Sequence, residues 1–275
     1  AQGMKRLGTL DASWLAVESE DTPMHVGNLQ IFSLPEGAPE TFLRDMVTRM
    51  KETGDVAPPW GLKLAWSGLL GRVLAPGWKV DKKIDLDYHV RHSALPRPGG
   101  ERELGILVSR LHSNPLDFAR PLWECHVIEG LENNRFALYT KMHHSMIDGI
   151  SGVRLMQRVL TTDPDKRDMP PPWSVRPERR RGSKSDSQAM DALKLQADMA
   201  PRLLQAGNRL VHSVRHPEDG LTAPFTGPVS KINHRVTGQR RFATQHYQLD
   251  RIKELAHVSG ASLNDIVLYL CGTAL

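Results

Sequence analysis

Residues 122–128 and 135–142 form two apolar runs rich in β-branched and aromatic side chains, joined by Glu129-Gly130-Leu131-Glu132-Asn133-Asn134. That composition, with a turn-rich connection, predicts a pair of strands. Beyond Gly149, the residues Ile150, Val153, Leu155, Met156 and Val159 recur at helical spacing. The chain must therefore run strand, short loop, helix, and this order constrains the fold more than any other stretch. His143 falls where the second strand ends, so the loop holds the pair His143 and His144 together with Asp148.

Helical period also marks residues 39–51, through Phe42, Leu43, Met46, Val47 and Met50, and residues 101–112, through Leu104, Leu107, Val108 and Leu111. Residues 61–80 are rich in Leu, Trp and Gly, with Lys63, Arg72 and Lys79 interrupting. They read either as core or as a lipid-facing surface element. From Asp163 to Ser187 the chain turns polar and proline-rich and loses its hydrophobic period, which places a linker there. A long helical stretch, residues 188–214 with a break or bend at Pro201, follows. Residues 242–249 read as a strand, 250–258 as a helix capped by Asp250, and residues from Ser262 onward as a helix capped by Ser262. The last helical pattern has no cap or polar exit before Leu275, so a second half is expected to cover it.

A chain of 275 residues accommodates one large domain or two smaller ones. With 40% hydrophobic and 24% charged residues it is expected to fold rather than remain disordered. Of the formal charge of +5, Arg176, Arg179, Arg180, Arg181 and Lys184 against Glu178 supply +4. Such a run suits a solvated linker or a patch for acidic lipid or phosphate, and few aromatics interleave it as a nucleic-acid groove would require. Cys125 and Cys271 are far apart and lack metal or redox spacing, which points to unpaired thiols in a reducing, cytoplasmic setting. No apolar run approaches the roughly 18 residues of a membrane span, so any membrane contact is expected to be peripheral.

A neutral imidazole at the mouth of a strand can act as a general base, taking a proton from an alcohol that attacks a thioester. Asp148, four residues after His144, could steer that imidazole or lock the loop by pairing with a buried arginine, and Gly149 permits a tight strand-to-helix turn. Spacing alone does not separate these roles. Two neighbouring histidines could equally cap the strand through local hydrogen bonds. Metal ligation by His143, His144 and Asp148 is disfavoured, because adjacent side chains at a strand end diverge and no fourth ligand is evident. Neither Ser145 nor Ser151 sits in the G-x-S-x-G setting of a nucleophile elbow.

The sequence HHSMIDG at residues 143–149 resembles the HHxxxDG motif of the coenzyme A-dependent acyltransferase superfamily, which peptide-synthetase condensation domains share. The flanks choose among members. Pro121-Leu122-Trp123-Glu124 resembles the PLW motif of bacterial wax ester synthase/diacylglycerol acyltransferases, and Ser262-Leu263-Asn264-Asp265 resembles their ND motif. Leu10-Asp11-Ala12-Ser13-Trp14-Leu15 and Pro23-Met24-His25-Val26-Gly27 resemble their N-terminal signature.

The resemblance implies an α/β fold of chloramphenicol-acetyltransferase type in two halves. Residues 4–162 would form the first half, 163–220 a linker with the long helix, and 221–275 the start of the second. It further implies transfer of a long-chain acyl group from acyl-CoA, as co-substrate, to a fatty alcohol or diacylglycerol, without a permanently bound cofactor or metal. His144 would be the general base, His143 its neighbour in the motif, and Asp148 an organiser of the loop. Pro121, Leu122 and Trp123 would be core or a wall of an acyl tunnel. Asn264 and Asp265 would act in the site or, since Ser262 and Asp265 have capping-box spacing, simply start a helix. The expected place of work is the cytoplasmic membrane face or a lipid inclusion. A condensation enzyme and a non-catalytic lipid-binding relative are the alternatives.

Overall fold

The computed structural model describes residues 5–65, 77–147, 149–163, 165–166, 168–176, 235–245 and 247–274. Its elements in chain order are β1 (Lys5–Arg6), α1 (Thr9–Ala16), β2 (His25–Ser33), α2 (Phe42–Lys51), β3 (Leu62–Ala65), β4 (Gly77–Val80), α3 (Leu86–His89), β5 (Val90–Ala94), α4 (Glu101–Ser113), β6 (Trp123–Leu131), β7 (Arg135–His143) and α5 (Gly149–Val159). A 3₁₀ turn at Pro172–Ser174 and the helices α6 (Leu249–Val258) and α7 (Leu263–Ala274) follow. The main sheet has the order β2-β7-β6-β5; β2 and β6 run antiparallel to β7, whereas β5 and β6 are parallel. A parallel neighbour needs a crossover, and α4 supplies it.

Both faces of the central strands β6 and β7 are covered, which is why they read as apolar runs rather than as clean alternation. Trp123, Cys125 and Val127 of β6 and Phe136 and Met142 of β7 face one layer with Leu43 and Val47 of α2 and Leu155 and Val159 of α5. Ile128, Ala137 and Tyr139 point the other way, onto Leu104, Leu107 and Val108 of α4. The β6–β7 turn places Asn133 and Asn134 at φ 61° and 54°, a left-handed conformation that asparagine tolerates. Gly27 in β2 is required by close approach: a Cβ there would lie 2.9 Å from the Tyr139 hydroxyl.

The predicted strand pair, the helix after Gly149 and the two amphipathic helices are present. Other expectations meet mixed outcomes. The described part of residues 61–80 forms β3 and β4, which pair with each other and bury Leu64 and Trp78, in keeping with the core reading; residues 66–76 lie outside the described residues. The stretch from Asp163 is not all linker, because Trp173 is fully buried and its backbone carbonyl accepts from Ala57 N at 2.7 Å. Its indole N–H reaches Met50 O at 3.3 Å, so the first packed unit extends at least to Val175, which packs on the same core. The long helix at 188–214 lies outside the described residues.

Residues 241–245 form no strand. The Phe242 N–H donates to Ser109 Oγ at 2.8 Å and the Arg240 N–H to Ser113 Oγ at 2.9 Å, so serines one turn apart on α4 take the donors a ladder would have used. Asp250 is not a cap, since the helix starts at Leu249 after Gln248; the acid lies in the first turn, where it favours the helix dipole. Ser262 does cap α7: its Oγ accepts from Asp265 N at 3.2 Å.

Candidate active site

Strand β7 ends on His143, and successive strand residues project to opposite faces, so His143 and His144 part company. The His143 ring is fully buried, and its Nδ1 lies 2.7 Å from Ser145 Oγ and 3.1 Å from Ser145 N. A backbone N–H can only donate, so Nδ1 is an acceptor and Nε2 carries the proton. That proton points at Glu18 Oε2, 2.6 Å away. The same carboxylate oxygen accepts from Met24 N at 2.9 Å, and Met24 O accepts from His144 N at 2.9 Å. Glu18 thus holds His143 directly and is linked to His144 through the backbone of Met24.

His144 is only partly buried, and among the described residues its ring nitrogens make no hydrogen bond. Its ring stacks on the indole of Trp14 in α1, with centroids 4.2 Å apart and planes inclined by 15°. It borders a groove of about 1220 Å³ between the sheet and α5. Val26, Asn28, Gln30 and Phe32, alternate residues of β2, form one wall, and Val153, Met156 and Leu160 form another. The wall from Val26 to Phe32 spans about 20 Å at the usual rise of a strand. The volume exceeds the roughly 300–1,000 Å³ of ordinary small-molecule sites, and much of its lining is apolar.

Behind β7, on the α4 side, lies a buried polar layer. Lys141 Nζ donates to Leu111 O and Asn114 O, both at 2.8 Å, and His25 Nε2 lies 2.7 Å from His112 O. Three carbonyls at the C-terminal end of α4 are thereby satisfied from the sheet, where a cation also suits the helix dipole. Lys141 also approaches Glu124 at 3.4 Å. Burial opposes the charge on Glu124, but the hydrogen bond from His126 and the charges of Lys141 and Arg91 outweigh it and hold the carboxyl down to about 2. Burial pushes His25 down to about 4, so it is neutral near pH 7. This layer fixes the end of α4 to the strand that presents the histidines.

The other expected residues are distributed as follows. Asp148 lies outside the described residues, and Gly149 opens α5. Pro121, Leu122 and Trp123 are buried in the core, away from the groove. The Trp123 indole donates to Trp60 O at 2.8 Å and stacks on His89 and Trp173 at 4.4 and 5.1 Å. Asn264 and Asp265 are exposed on α7; the Asp265 carboxylate accepts from Ser262 N and Ser262 Oγ, a reciprocal cap that draws its pKa below the usual carboxylate value. Neither lines the groove. Among the described residues no three His, Cys, Asp or Glu side chains cluster as metal ligands. Sequence reasoning assigned no role to Glu18 or Trp14; the only signal was their position in and beside the N-terminal signature.

Residues 7–267 match the family model described as the wax ester synthase/diacylglycerol acyltransferase catalytic domain. The chain is 43% identical over 266 residues to a Mycobacterium tuberculosis protein named probable diacylglycerol O-acyltransferase, covering 96% of this chain and 58% of that relative. It is 39% identical over 278 residues to the O-acyltransferase WSD of Acinetobacter baylyi, covering 99% and 59%. Among solved structures, the wax ester synthase/diacylglycerol acyltransferase from Marinobacter aquaeolei VT8 superposes with a TM-score of 0.75 at 34% identity, covering 97% of this chain and 59% of that one. The chain therefore spans about three fifths of the length of these relatives. On the family match along nearly its whole length, the chain belongs to the wax ester synthase/diacylglycerol acyltransferase family.

Proposed function

We propose that the protein moves a long-chain acyl group from acyl-CoA to the hydroxyl of a fatty alcohol, giving a wax ester, or of diacylglycerol, giving triacylglycerol, with His144 as general base. One observation carries the assignment of the base. Of the two adjacent histidines, His143 has both ring nitrogens engaged, whereas His144 has neither bonded among the described residues and borders the groove.

In this reading His144 takes the hydroxyl proton as the alcohol oxygen bonds to the thioester carbonyl carbon. Collapse of the tetrahedral oxyanion breaks the carbon–sulfur bond, and the protonated imidazole returns the proton to the departing thiolate. No covalent enzyme intermediate is needed. Asp148 and Gly149 belong to the reading as organisers of the turn between β7 and α5. The apolar groove suits a long hydrocarbon tail whose reacting end lies at His144.

Residues 163–220, beyond the part that packs on the first unit, are proposed as the linker with its long helix, and residues 221–275 as the start of a second half that completes the tunnel. No described helix is long and apolar enough to cross a membrane. Because both lipid substrates are insoluble, the proposed workplace is the cytoplasmic membrane face or the surface of a lipid inclusion, reached peripherally. The direct test is incubation of the full-length protein with radiolabelled palmitoyl-CoA and either hexadecanol or a diacylglycerol. Labelled wax ester or triacylglycerol is the expected product; hydrolysis to free fatty acid, or no turnover, would refute the proposal.

A further inference from the structure

A histidine base works only if its ring plane is held, because rotation about the bond to the ring is broad and roughly two-fold. In a hydrogen-bonded catalytic histidine, a carboxylate or carbonyl on the second nitrogen supplies that restraint. Among the described residues, the nearby carboxylate of Glu18 is spent on His143 and on Met24 N. The described contact across the face of the His144 ring is instead an aromatic plane. Trp14 and His144 lie nearly parallel, 4.2 Å between centroids and 15° between planes.

Trp14 is not an isolated surface ring. It sits in α1, and the segment that follows supplies Glu18 to His143 and Met24 O to His144 N. Indole, carboxylate and carbonyl therefore reach the histidine turn from one stretch of chain, and each fixes a different part of it. Against the flat indole, the imidazole cannot rotate about its Cβ–Cγ bond without tilting out of the stack, so the plane of the ring is held. The negative face of the indole also attracts a cation more strongly than a neutral ring.

We propose that Trp14 is a positioning residue for His144: its indole face sets the plane of the imidazole and favours the imidazolium formed as the hydroxyl proton is taken. The proposal rests on the reading of His144 as the base. It assigns Trp14 no contact with substrate. The contribution should fall on kcat, where the protonated ring develops, and leave the KM for acyl-CoA nearly unchanged.

The test combines kinetics with NMR of full-length protein carrying [ε1-13C]histidine, the His144 signal being identified by its loss in His144→Gln. In the parent, ring current from the indole should displace the His144 proton upfield, and Trp14→Leu should remove that displacement. Trp14→Leu should lower kcat about 10- to 100-fold, the scale of a misplaced catalytic group, whereas Trp14→Phe, which keeps an aromatic face, should recover most of the rate. A displaced signal with kcat equal in the parent and Trp14→Leu would overturn the catalytic role. An unaltered signal in Trp14→Leu would overturn the contact itself. Equal loss in Phe and Leu variants that remain folded would overturn the requirement for a stacking face. If the parent makes no ester while its His144 signal still depends on Trp14, the transferase reading falls and the catalytic part of this proposal falls with it, but the ring contact stands.

Discussion

Glu18 Oε2 and His143 Nε2 meet at 2.6 Å although 125 positions separate them in the chain. The contact ties the segment after α1 to the end of β7, and the His143 ring it holds is fully buried. Glu18→Ala would leave a buried N–H without an acceptor and would also release Met24 N. The expected cost is about 1.5–3 kcal/mol, the range of hydrogen bonds to charged groups. Glu18→Gln retains an acceptor and should lose less. Urea denaturation of the three proteins checks this, and a Glu18→Ala protein as stable as the parent would show that the contact does not anchor the turn.

Trp173 fills the same aromatic cluster as Trp60, Trp123 and His89 and is itself fully buried. Trp173→Ala should destabilise the protein by about 3–5 kcal/mol, through lost burial and the cavity left behind. Arg176, a few residues on, has a side chain 79% exposed, and its ion pair with Asp55 at 4.0 Å is exposed on both sides. Arg176→Ala should therefore change stability by less than about 1 kcal/mol. Comparable midpoints for the two variants in thermal melts would mean that the proline-rich stretch is not seated as described.

Acid should weaken the fold in two stages. His25 is held at about 4, below its ordinary value of 6.5, so the unfolded chain binds more protons between those limits. The stability that neutral His25 contributes is complete above pH 6.5 and is lost as pH falls toward 4, on the order of 3 kcal/mol. Burial lowers His89 and His112 in the same direction. Glu124, held near 2, adds a further loss as pH falls below 4.5. Midpoints measured from pH 7 to 4 should drop in the parent and drop less in His25→Gln, whose amide can still donate to His112 O. Equal slopes would contradict the assignment to His25.

The central hairpin, the His-bearing turn and the helix after it were legible because local patterns specify them: apolar runs, a turn rich in Asn and Gly, and a change to helical period. The site's supports were not, because Glu18 and Trp14 act across the fold and leave no periodic trace. Lys141 was hidden for a related reason. A fully buried lysine is readable only once the carbonyls at the end of α4 are seen to converge on it. The segment around Phe242 misled because an extended backbone looks the same in sequence whether its donors meet a strand or helix serines. Trp173 misled because proline-rich composition signals irregular backbone, which a single large side chain can nonetheless pin to a core.

The most direct measurement of the central claim is the rate of acyl transfer from palmitoyl-CoA to hexadecanol by full-length parent, His144→Ala and His143→Ala, each confirmed folded by circular dichroism. If His144 is the base, His144→Ala should lose about 100- to 10,000-fold in kcat while keeping the parent's stability. His143→Ala should instead lose stability together with rate, since it removes the partner of Glu18. A His144→Ala enzyme that makes wax ester at nearly the parental rate would contradict the assignment.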